Sequence, residues 1–318
     1  MNAPTPKTDP RTLSFVLDGT VVQLAAPPAT TTVLEYLRNT AGRSGTKEGC
    51  AEGDCGACTV VLGELTADGS AISYQAINSC IRFLPTLDGK ELVTVESLQD
   101  PAGIPHPVQQ AMVDCHASQC GFCTPGFVMS LFALYQTASA AARDEVVDAL
   151  SGNLCRCTGY RPIIDAGQRM YGYSEPAHWS RGDGQNAQRR ERLRELTRTV
   201  EGGDALRYEG YHAPRSLNEL ATAAAADPAA VLLAGGTDVG LWVTKQLRDL
   251  PAIIYIGDVA ELNQIRSSAD SLWIGAGVVL SRAWPALVAV YPALAEQAER
   301  FASPPIRNSA TLCGNLAN

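Results

Sequence analysis

The sequence predicts an α+β chain built from three successive units rather than from one domain. Its 318 residues are enough for two or three domains of ordinary size. Short strand-like segments fill the first hundred residues, apolar residues recur at helical spacing from His106 onward, and strands alternate with helices in the last third. With 46% hydrophobic and 18% charged residues, the composition is that of a globular protein able to form buried cores.

The first unit, residues 1–100, is predicted to be a small mixed sheet with one helix. Leu13–Leu24 contains two apolar segments separated by an Asp-Gly pair, which is a hairpin signal. Thr32–Asn39 carries apolar residues on one helical face. Thr59–Leu62 and Glu91–Val95 are strand-like. This combination indicates a fold of the β-grasp kind.

The second unit, residues 101–170, is predicted to be a compact all-α domain. Its helical segments are Val108–Cys115, Gly126–Ala138, Arg143–Leu150 and Pro162–Met170. Residues 171–204 follow as a polar stretch with few apolar residues, and we interpret them as a linker.

The third unit, residues 205–318, shows an alternation of strands and helices that indicates an α/β or α+β domain. Leu217–Ala226 is helical in pattern. The strand signals are a buried strand at Val231–Ala234 and further strands at Ile253–Ile256 and Leu272–Gly275. The last segment, 303–318, is rich in Pro, Ser, Thr, Asn and Gly, and by itself predicts a loop.

Charge and hydropathy exclude several classes of partner. The formal net charge of -8 and the pI near 5.1 argue against nucleic acid or an anionic membrane surface as the main partner. No apolar run approaches the roughly 20 residues needed to span a bilayer. The first residues, Met1 to Arg11, are polar and lack the pattern of a secretion signal. We therefore expect a cytoplasmic protein.

The first cysteine group has the spacing of an iron–sulfur site. Ten cysteines in a reducing compartment predict metal ligands rather than disulfides. Cys50, Cys55 and Cys58 follow the plant-type 2Fe–2S spacing, and Cys80 supplies a fourth ligand after 21 intervening residues. Neighbouring glycines allow the backbone to wrap tightly around a cluster. A four-thiolate zinc site would want close pairs on both sides, and Cys80 has no close partner.

The second cysteine group consists of two close pairs, Cys120 with Cys123 and Cys155 with Cys157, separated by 31 residues. Each pair lies in a Gly-containing turn beside a predicted helix, so the two loops are expected to face each other across one metal centre. We interpret this centre as a second 2Fe–2S cluster, because two redox centres in tandem make a conducting path and Zn²⁺ has no redox chemistry. For this group considered alone, a four-thiolate zinc site remains an alternative. Cys115 lies outside both pairs and is expected to be a buried helix thiol.

A Gly-rich turn follows the predicted strand of the third unit, in the segment Leu232-Leu-Ala-Gly-Gly-Thr-Asp. Backbone N–H groups in such a turn can approach a pyrophosphate. The segment does not match G-x-G-x-x-G, so a Rossmann dinucleotide site is not indicated. By itself the pattern favours a plain strand-to-helix turn over a phosphate site.

Taken in order, these motifs resemble the iron–sulfur and flavin domains of the molybdenum hydroxylases. The segments that carry the resemblance are Glu48-Gly-Cys-Ala-Glu-Gly-Asp-Cys-Gly-Ala-Cys-Thr, Gln119-Cys-Gly-Phe-Cys-Thr-Pro-Gly, Gly152-Asn-Leu-Cys-Arg-Cys-Thr-Gly-Tyr-Arg, Leu233-Ala-Gly-Gly-Thr-Asp and Ile306-Arg-Asn-Ser-Ala-Thr-Leu-Cys-Gly-Asn. Iron–sulfur motifs followed by flavin motifs, with no molybdenum domain, are similar to the small subunits of bacterial xanthine dehydrogenases.

The resemblance implies a domain assignment. Residues 1–100 would form a plant-type 2Fe–2S ferredoxin-like domain of the β-grasp kind, and residues 101–170 a helical-bundle 2Fe–2S-binding domain. Residues 205–318 would form the N-terminal part of an α+β FAD-binding domain of the molybdopterin dehydrogenase type. The family's domain continues past the position of Asn318, so we expect this domain to be incomplete at its C-terminus and to bind FAD poorly.

The resemblance also implies an oxidoreductase subunit without catalytic residues of its own. A large partner subunit holding molybdopterin would hydroxylate hypoxanthine or xanthine, in a hetero-oligomer. Electrons would pass to the helical-domain cluster, then to the plant-type cluster, then to FAD and finally to NAD. Eight cysteines would ligate the clusters, and Gln119 would hydrogen-bond the pterin of the partner subunit.

By position, the resemblance implies a set of FAD contacts. They are Leu232, Leu233, Ala234, Gly235, Gly236, Thr237, Asp238, Val239, Phe301, Thr311, Gly314 and Asn315. Many relatives have Gly where this chain has Cys313, so the thiol is expected to crowd that turn.

Three other functions stay open from the sequence. The chain could serve an aldehyde or other N-heterocycle oxidoreductase of the same superfamily, with NAD or oxygen as the final acceptor. It could be a stand-alone ferredoxin-like carrier with a non-functional flavin remnant. A zinc-stabilised interaction protein is the third alternative.

Overall fold

Three sheets and twelve α-helices lie within the described ranges of the computed structural model, residues 9–180, 183–197 and 205–318. The strands are β1 (Thr12–Leu17), β2 (Thr20–Ala25), β3 (Thr59–Leu65), β4 (Ile72–Asn78), β5 (Glu91–Val93), β6 (Leu206–Tyr208), β7 (Tyr211–Ala213), β8 (Val231–Leu233), β9 (Ile253–Tyr255), β10 (Ile265–Ser267) and β11 (Leu272–Ile274). The helices are α1 (Val33–Asn39), α2 (Pro107–Asp114), α3 (Thr124–Thr137), α4 (Arg143–Ala149), α5 (Arg161–Arg169), α6 (Asp183–Leu196), α7 (Leu217–Ala226), α8 (Val239–Thr244), α9 (Leu280–Val290), α10 (Ala295–Arg300), α11 (Pro304–Arg307) and α12 (Leu312–Ala317). Within these ranges no helix combines the length and the apolar character needed to cross a membrane.

The first unit is a five-stranded sheet with the strand order β2-β1-β5-β3-β4 and one helix, as predicted. The hairpin β1–β2 turns at Asp18 and Gly19, both at positive φ, which matches the right-handed twist of the strands. Thr32 caps α1 by accepting a hydrogen bond from the backbone N–H of Glu35. The predicted hairpin and helix are therefore confirmed.

The two faces of this sheet pack against different helices. Val60 and Leu62 of β3 lie in one core with Val33 of α1. Val61 points to the opposite face, where it packs with Phe127 of α3. The second unit therefore packs on one face of the sheet of the first unit, and the two units share the core on that face.

The second unit contains α2 to α5, at the four segments predicted to be helical. α3 begins at Thr124-Pro125, where proline's missing N–H costs nothing because the first N–H groups of a helix have no partner. Cys115 directly follows α2 and is only partly buried, so the prediction of a buried helix thiol was wrong in its burial.

The stretch 171–204, predicted to be a linker, contains the helix α6 and packs on the first unit. Leu193 and Leu196 lie against Val16 of β1. Arg189 stacks on the ring of Trp179 with its guanidinium carbon 3.4 Å from the ring centroid. Two leucines and an arginine thus anchor this segment, although most of its residues are polar. Residues 181–182 and 198–204 of the predicted linker lie outside the described residues.

The third unit is a mixed sheet with the strand order β6-β7-β9-β8. Strands β7, β9 and β8 are parallel, and β6 pairs antiparallel with β7. The prediction of a fully buried strand β8 was wrong, because only Leu233 is buried whereas Leu232 is 56% exposed. The two remaining strands, β10 and β11, form a separate antiparallel pair.

The final segment, predicted to be a loop, contains two short helices, α11 and α12. Thr311 caps α12 by accepting a hydrogen bond from the N–H of Gly314 at 3.1 Å. Ser, Thr and Pro favour both loops and helix starts, so the composition alone did not distinguish them.

Candidate functional site

The structure brings the four cysteines of the first group together. Cys50, Cys55 and Cys58 lie in the loop between α1 and β3, and Cys80 follows β4 two residues after its end. Cys58 and Cys80 are buried with 1% and 3% exposure, while Cys50 and Cys55 are partly exposed. The site is therefore closed on one side and open on the other.

Hydrogen-bond donors face the sulfur atoms of this group. The backbone N–H of Cys55 lies 3.3 Å from Cys50 Sγ, and the N–H of Glu52 lies 3.5 Å from the same sulfur. The amide Nδ2 of the buried Asn78 lies 3.8 Å from Cys58 Sγ. Such donors stabilise negative charge on thiolates and raise the reduction potential of a cluster that they hold. The sequence pattern gave no signal for Asn78.

Glycine is needed in this loop for two reasons. Gly53 and Gly56 adopt φ values of 82° and 68°, which favour glycine. A Cβ on Gly49 would lie 2.7 Å from Cys55 Sγ, so a side chain there would displace the thiol. The predicted role of the glycines in wrapping the backbone is consistent with this geometry.

The thiols of the first group are close enough to perturb one another. A hydrogen bond from the Cys80 thiol lowers the pKa of Cys50 to about 3. The same contact raises the pKa of Cys80. A thiolate is therefore stabilised at this site, as iron ligation requires.

The second cysteine group lies on two loops, one before α3 and one before α5, that face each other as predicted. Cys157 Sγ lies 3.5 Å from Cys120 Sγ, and both thiols are exposed. Cys155 is buried, and its Sγ lies 3.1 Å from the hydroxyl of Thr158. Burial is the main cause that raises the pKa of Cys123 to about 12, and a hydrogen bond with Cys155 adds to the increase.

A cleft of about 410 Å³ lies over this second group. Its lining residues are Cys120, Phe122, Cys123, Leu154, Cys155, Arg156, Cys157 and Tyr160. In the described part of the chain, no set of three or more His, Cys, Asp or Glu side chains is spaced to hold one metal ion. A 2Fe–2S cluster does not need such a set, because its two irons share four thiolate ligands. Each of the two groups brings four thiols together.

A closely packed junction of backbone and side-chain atoms connects the two cysteine groups. The backbone N–H of Leu154 donates to the carbonyl of Cys55 at 3.0 Å. Asn153 is buried, and its Nδ2 donates to the carbonyl of Gly56 at 3.1 Å. A Cβ on Gly126 would lie 2.1 Å from that carbonyl oxygen, so the two loops touch through backbone atoms.

Most residues predicted to contact FAD line one cleft of about 400 Å³ in the third unit. The predicted residues in the lining are Leu232, Ala234, Gly235, Gly236, Thr237, Asp238, Val239, Thr311, Gly314 and Asn315. A Cβ on Gly235 would lie 1.7 Å from the carbonyl oxygen of Ser309, so glycine allows the two loops to meet there. Backbone N–H groups in a Gly-rich turn can bind a phosphate-bearing group, and this turn lines the cleft, so the residues present fit such a group.

Two predicted flavin residues do not line this cleft. Leu233 is buried in the core, and the ring of Phe301 packs against Trp284 at a centroid distance of 5.7 Å. Conversely, Trp242 of α8 lines the cleft and was not predicted. A helical turn separates Trp242 from Asp238, so an amphipathic projection of α8 could have indicated it.

The remaining singled-out residues lie at the edges of these sites. Gln119 is exposed and precedes Cys120. Cys313 lies on α12, where its Sγ is 3.9 Å from the carbonyl oxygen of Ile274.

Three regions of the chain match described protein domains. Residues 15–83 match a 2Fe-2S iron-sulfur cluster binding domain. Residues 94–168 match a 2Fe-2S binding domain. Residues 205–318 match the FAD binding domain in molybdopterin dehydrogenase. The matches cover both cysteine groups and the cleft of the third unit.

The full length of the chain resembles parts of larger oxidoreductases. It is 34% identical to a xanthine dehydrogenase from Emericella nidulans, over 96% of this chain and 26% of that protein. It is 32% identical to aldehyde oxidase 1 from Rattus norvegicus, over 98% of this chain and 27% of that protein. The chain thus spans about a quarter of the length of these relatives.

Two solved structures align with about half of the chain. The structure of quinoline 2-oxidoreductase from Pseudomonas putida 86 aligns with 34% identity and a TM-score of 0.42, over 49% of this chain and 90% of that chain. The aldehyde oxidoreductase from Desulfovibrio gigas aligns with 33% identity and a TM-score of 0.45, over 51% of this chain and 17% of that chain.

Proposed function

Since the chain belongs to the xanthine dehydrogenase and aldehyde oxidase family of molybdenum hydroxylases, with its two 2Fe–2S domains and its FAD domain, we propose that it is the electron-transfer subunit of a xanthine dehydrogenase. Hydroxylation of hypoxanthine or xanthine would take place on a separate molybdopterin-binding subunit, and NAD would be the final acceptor. The complex would work in the cytoplasm.

The observation that carries this proposal is the convergence of eight thiols into two groups whose loops are joined by hydrogen bonds from Asn153 and Leu154. When bound, two 2Fe–2S clusters would supply one-electron redox chemistry, and FAD would couple it to two-electron transfer. Cys50, Cys55, Cys58 and Cys80 would hold the first cluster. Its sulfur ligands would accept hydrogen bonds from Asn78 and from backbone N–H groups.

The second group would be held by Cys120, Cys123, Cys155 and Cys157, at a surface suited to a protein partner. Phe122 and Leu154 flank these thiols and are 47% and 52% exposed. Exposed apolar side chains at the rim of a redox site favour docking of another protein. We propose that the molybdopterin-binding subunit covers this face and that the exposed Gln119 donates a hydrogen bond to its pterin.

The cleft of the third unit would hold the FAD. Gly235 and Gly236 allow the backbone to approach the pyrophosphate closely, and Thr311, Gly314 and Asn315 lie on the opposite wall. Leu232, 56% exposed at the cleft, would be covered by the bound cofactor. Phe301 is less well placed, because it packs on Trp284.

The similarity to aldehyde oxidase 1 favours a second candidate, the electron-transfer subunit of an aldehyde oxidoreductase. The arrangement of thiols and cleft is the same for both, since the substrate pocket belongs to the partner. Only the substrate distinguishes the two candidates.

The test is to purify the protein anaerobically with its partner subunit and to record its low-temperature paramagnetic resonance after dithionite reduction. We expect two distinct reduced 2Fe–2S signals, about four irons per chain, and NAD reduction on addition of xanthine. Zinc without acid-labile sulfide would overturn the iron–sulfur assignment. Reduction supported by an aldehyde and not by xanthine would retain the electron-transfer role and replace the substrate.

A further inference from the structure

The short helix α8 connects the flavin cleft to the loop that carries Cys50. Its first residue, Val239, lines the cleft. At its other end, the hydroxyl of Thr244 donates to the carbonyl of Ala51 at 2.8 Å. The next residue, Lys245, donates from Nζ to the carbonyl of Cys50 at 2.6 Å. The third unit therefore holds two consecutive carbonyls of the cysteine loop.

The same helix also touches the segment that carries Cys80. A Cβ on Gly240 of α8 would lie 2.4 Å from the carbonyl oxygen of Ile81, the residue after Cys80. A Cβ on Gly53 would lie 2.6 Å from the side chain of Ile81. Helix, cysteine loop and Cys80 segment are packed too closely for one to move alone.

Lys245 brings a positive charge to the part of the loop that carries the cysteines, where no basic residue stands. The segment 48–58 contains three carboxylates, Glu48, Glu52 and Asp54, and no Lys or Arg. Lys245 Nζ lies 3.4 Å from Glu52 Oε2 in addition to its contact with Cys50. The three thiolates of this segment and its carboxylates carry charge of the same sign, which a neighbouring ammonium stabilises.

We propose that Lys245 is a positioning residue that fixes the Cys50 loop and raises the reduction potential of the first cluster. The proposal rests on the proposed function, because it requires a redox cluster on Cys50, Cys55, Cys58 and Cys80. Reduction by one electron from dithionite adds one negative charge to the cluster, with no bond formed or broken. A cation beside Cys50 stabilises that extra charge more than it stabilises the oxidised state.

The expected effect is moderate because the side chain of Lys245 remains 41% exposed and Glu52 offsets part of its charge. A unit charge about 10 Å away at an effective dielectric constant of about 50 changes an equilibrium constant by about threefold. Removing the charge should therefore lower the equilibrium constant for reduction of the first cluster by about threefold, roughly 30 mV for a one-electron couple.

The experiment is a potentiometric titration monitored by paramagnetic resonance on the complete complex, with the second cluster as the internal reference. Lys245→Met should lower the potential of the first cluster and leave that of the second unchanged. Lys245→Arg should keep the wild-type value. Arg266→Met removes a charge elsewhere in the third unit, on a side chain stacked over Trp273, and should shift neither cluster.

A second readout does not depend on iron. Amide hydrogen exchange over residues 49–54 should be faster in Lys245→Met and in Thr244→Val, and unchanged in Arg266→Met. Unchanged potentials in Lys245→Met, with two normal signals in the wild type, would overturn the role of Lys245 alone. A wild-type protein without two reducible clusters would overturn the proposed function and this inference together.

Discussion

The two cysteine groups are built from similar glycine-containing turns, yet they differ in burial. Cys58 and Cys80 of the first group are enclosed, and α8 of the third unit packs against that loop. Cys120 and Cys157 of the second group lie at the surface. This difference indicates that the first group is enclosed between two units of this chain, whereas the second group faces outward.

The physical origin of the difference lies in the segments that close each group. Cys80 comes from the end of the sheet, so its sulfur is packed with Leu34 of α1 and Ile81. The second group is closed by two loops that each lead into a helix, and no third element covers them among the described residues. The first group therefore contributes two cysteines, Cys58 and Cys80, to a buried cluster, whereas the second contributes only Cys155.

Substituting one cysteine in each group should give the largest effect. Cys80→Ala and Cys120→Ala should each lower the iron content from about four to about two per chain, because each removes one of four cluster ligands. Cys80→Ala should also lower the melting temperature more, since it leaves a cavity in a core. Iron analysis and calorimetry check both results. Equal melting temperatures would contradict the difference in burial.

The junction between the groups offers the next largest effect. Gly126→Ala places a Cβ 2.1 Å from the carbonyl oxygen of Gly56, so the two loops must separate. We expect a loss of stability of about 3 kcal/mol, the upper part of the range for overpacking. Chemical denaturation measures it. Gly172→Ala is the matched control, because nothing lies within 4 Å of its Cβ.

The same variant should weaken the magnetic coupling between the two reduced clusters, because it moves their loops apart. Paramagnetic resonance of the fully reduced protein would detect this change as a loss of splitting. A Gly126→Ala protein with wild-type stability and wild-type coupling would show that the junction does not set the distance between the two groups.

The cysteine groups could be predicted because ligand spacing is a local property of the sequence. Three ligands of the first group and all four of the second lie within three residues of a glycine, which allows the backbone to wrap around a cluster. Cys80 and the pair Cys155 and Cys157 complete the two sets of four ligands, although they lie far along the sequence from the other ligands of their groups. The proximity of the two groups to each other could not be predicted, since it depends on how α3 packs on the sheet.

Contacts made by polar residues were harder to predict. Arginines of helix α6 contact the first unit. Arg192, for example, donates a hydrogen bond to the carbonyl of Gly19, and a hydrophobic pattern does not predict such a polar contact. Lys245 likewise acts on a loop far away in the sequence. Phe301 was expected in the flavin cleft, but its ring is held by Trp284 instead. In each case a tertiary contact decided the outcome.

An ion pair of the first unit, at its boundary with the third unit, should give a smaller, pH-dependent effect. Lys90 Nζ lies 2.8 Å from Glu64 and 3.8 Å from Asp258. Burial would raise the pKa of Glu64, but the charges of Lys90 and Arg82 lower it overall from 4.5. Stability from this group is therefore present above pH about 4.5, and is lost as the pH falls through the lowered pKa.

Glu64→Gln should consequently cost less than about 1 kcal/mol at pH 7 and should flatten the loss of stability below that pH. Urea denaturation at pH 7 and pH 4 checks the prediction. Glu296→Gln removes an exposed pair with Arg300 and serves as the control. If both variants responded identically to pH, the pair of Glu64 with Lys90 would not contribute to the pH dependence of stability.

The two cysteines outside both groups should give the smallest effect. Cys313 Sγ makes one long contact, and Cys115 is only partly buried at the end of α2. Cys313→Ala should change stability by less than about 0.5 kcal/mol and should leave both the iron content and the resonance signals unchanged. Cys115→Ala should also leave both clusters intact. Every other cysteine is assigned to a cluster, so loss of iron in either variant would require a different set of ligands. The comparison between a buried and an exposed group would then have to be made with that new set.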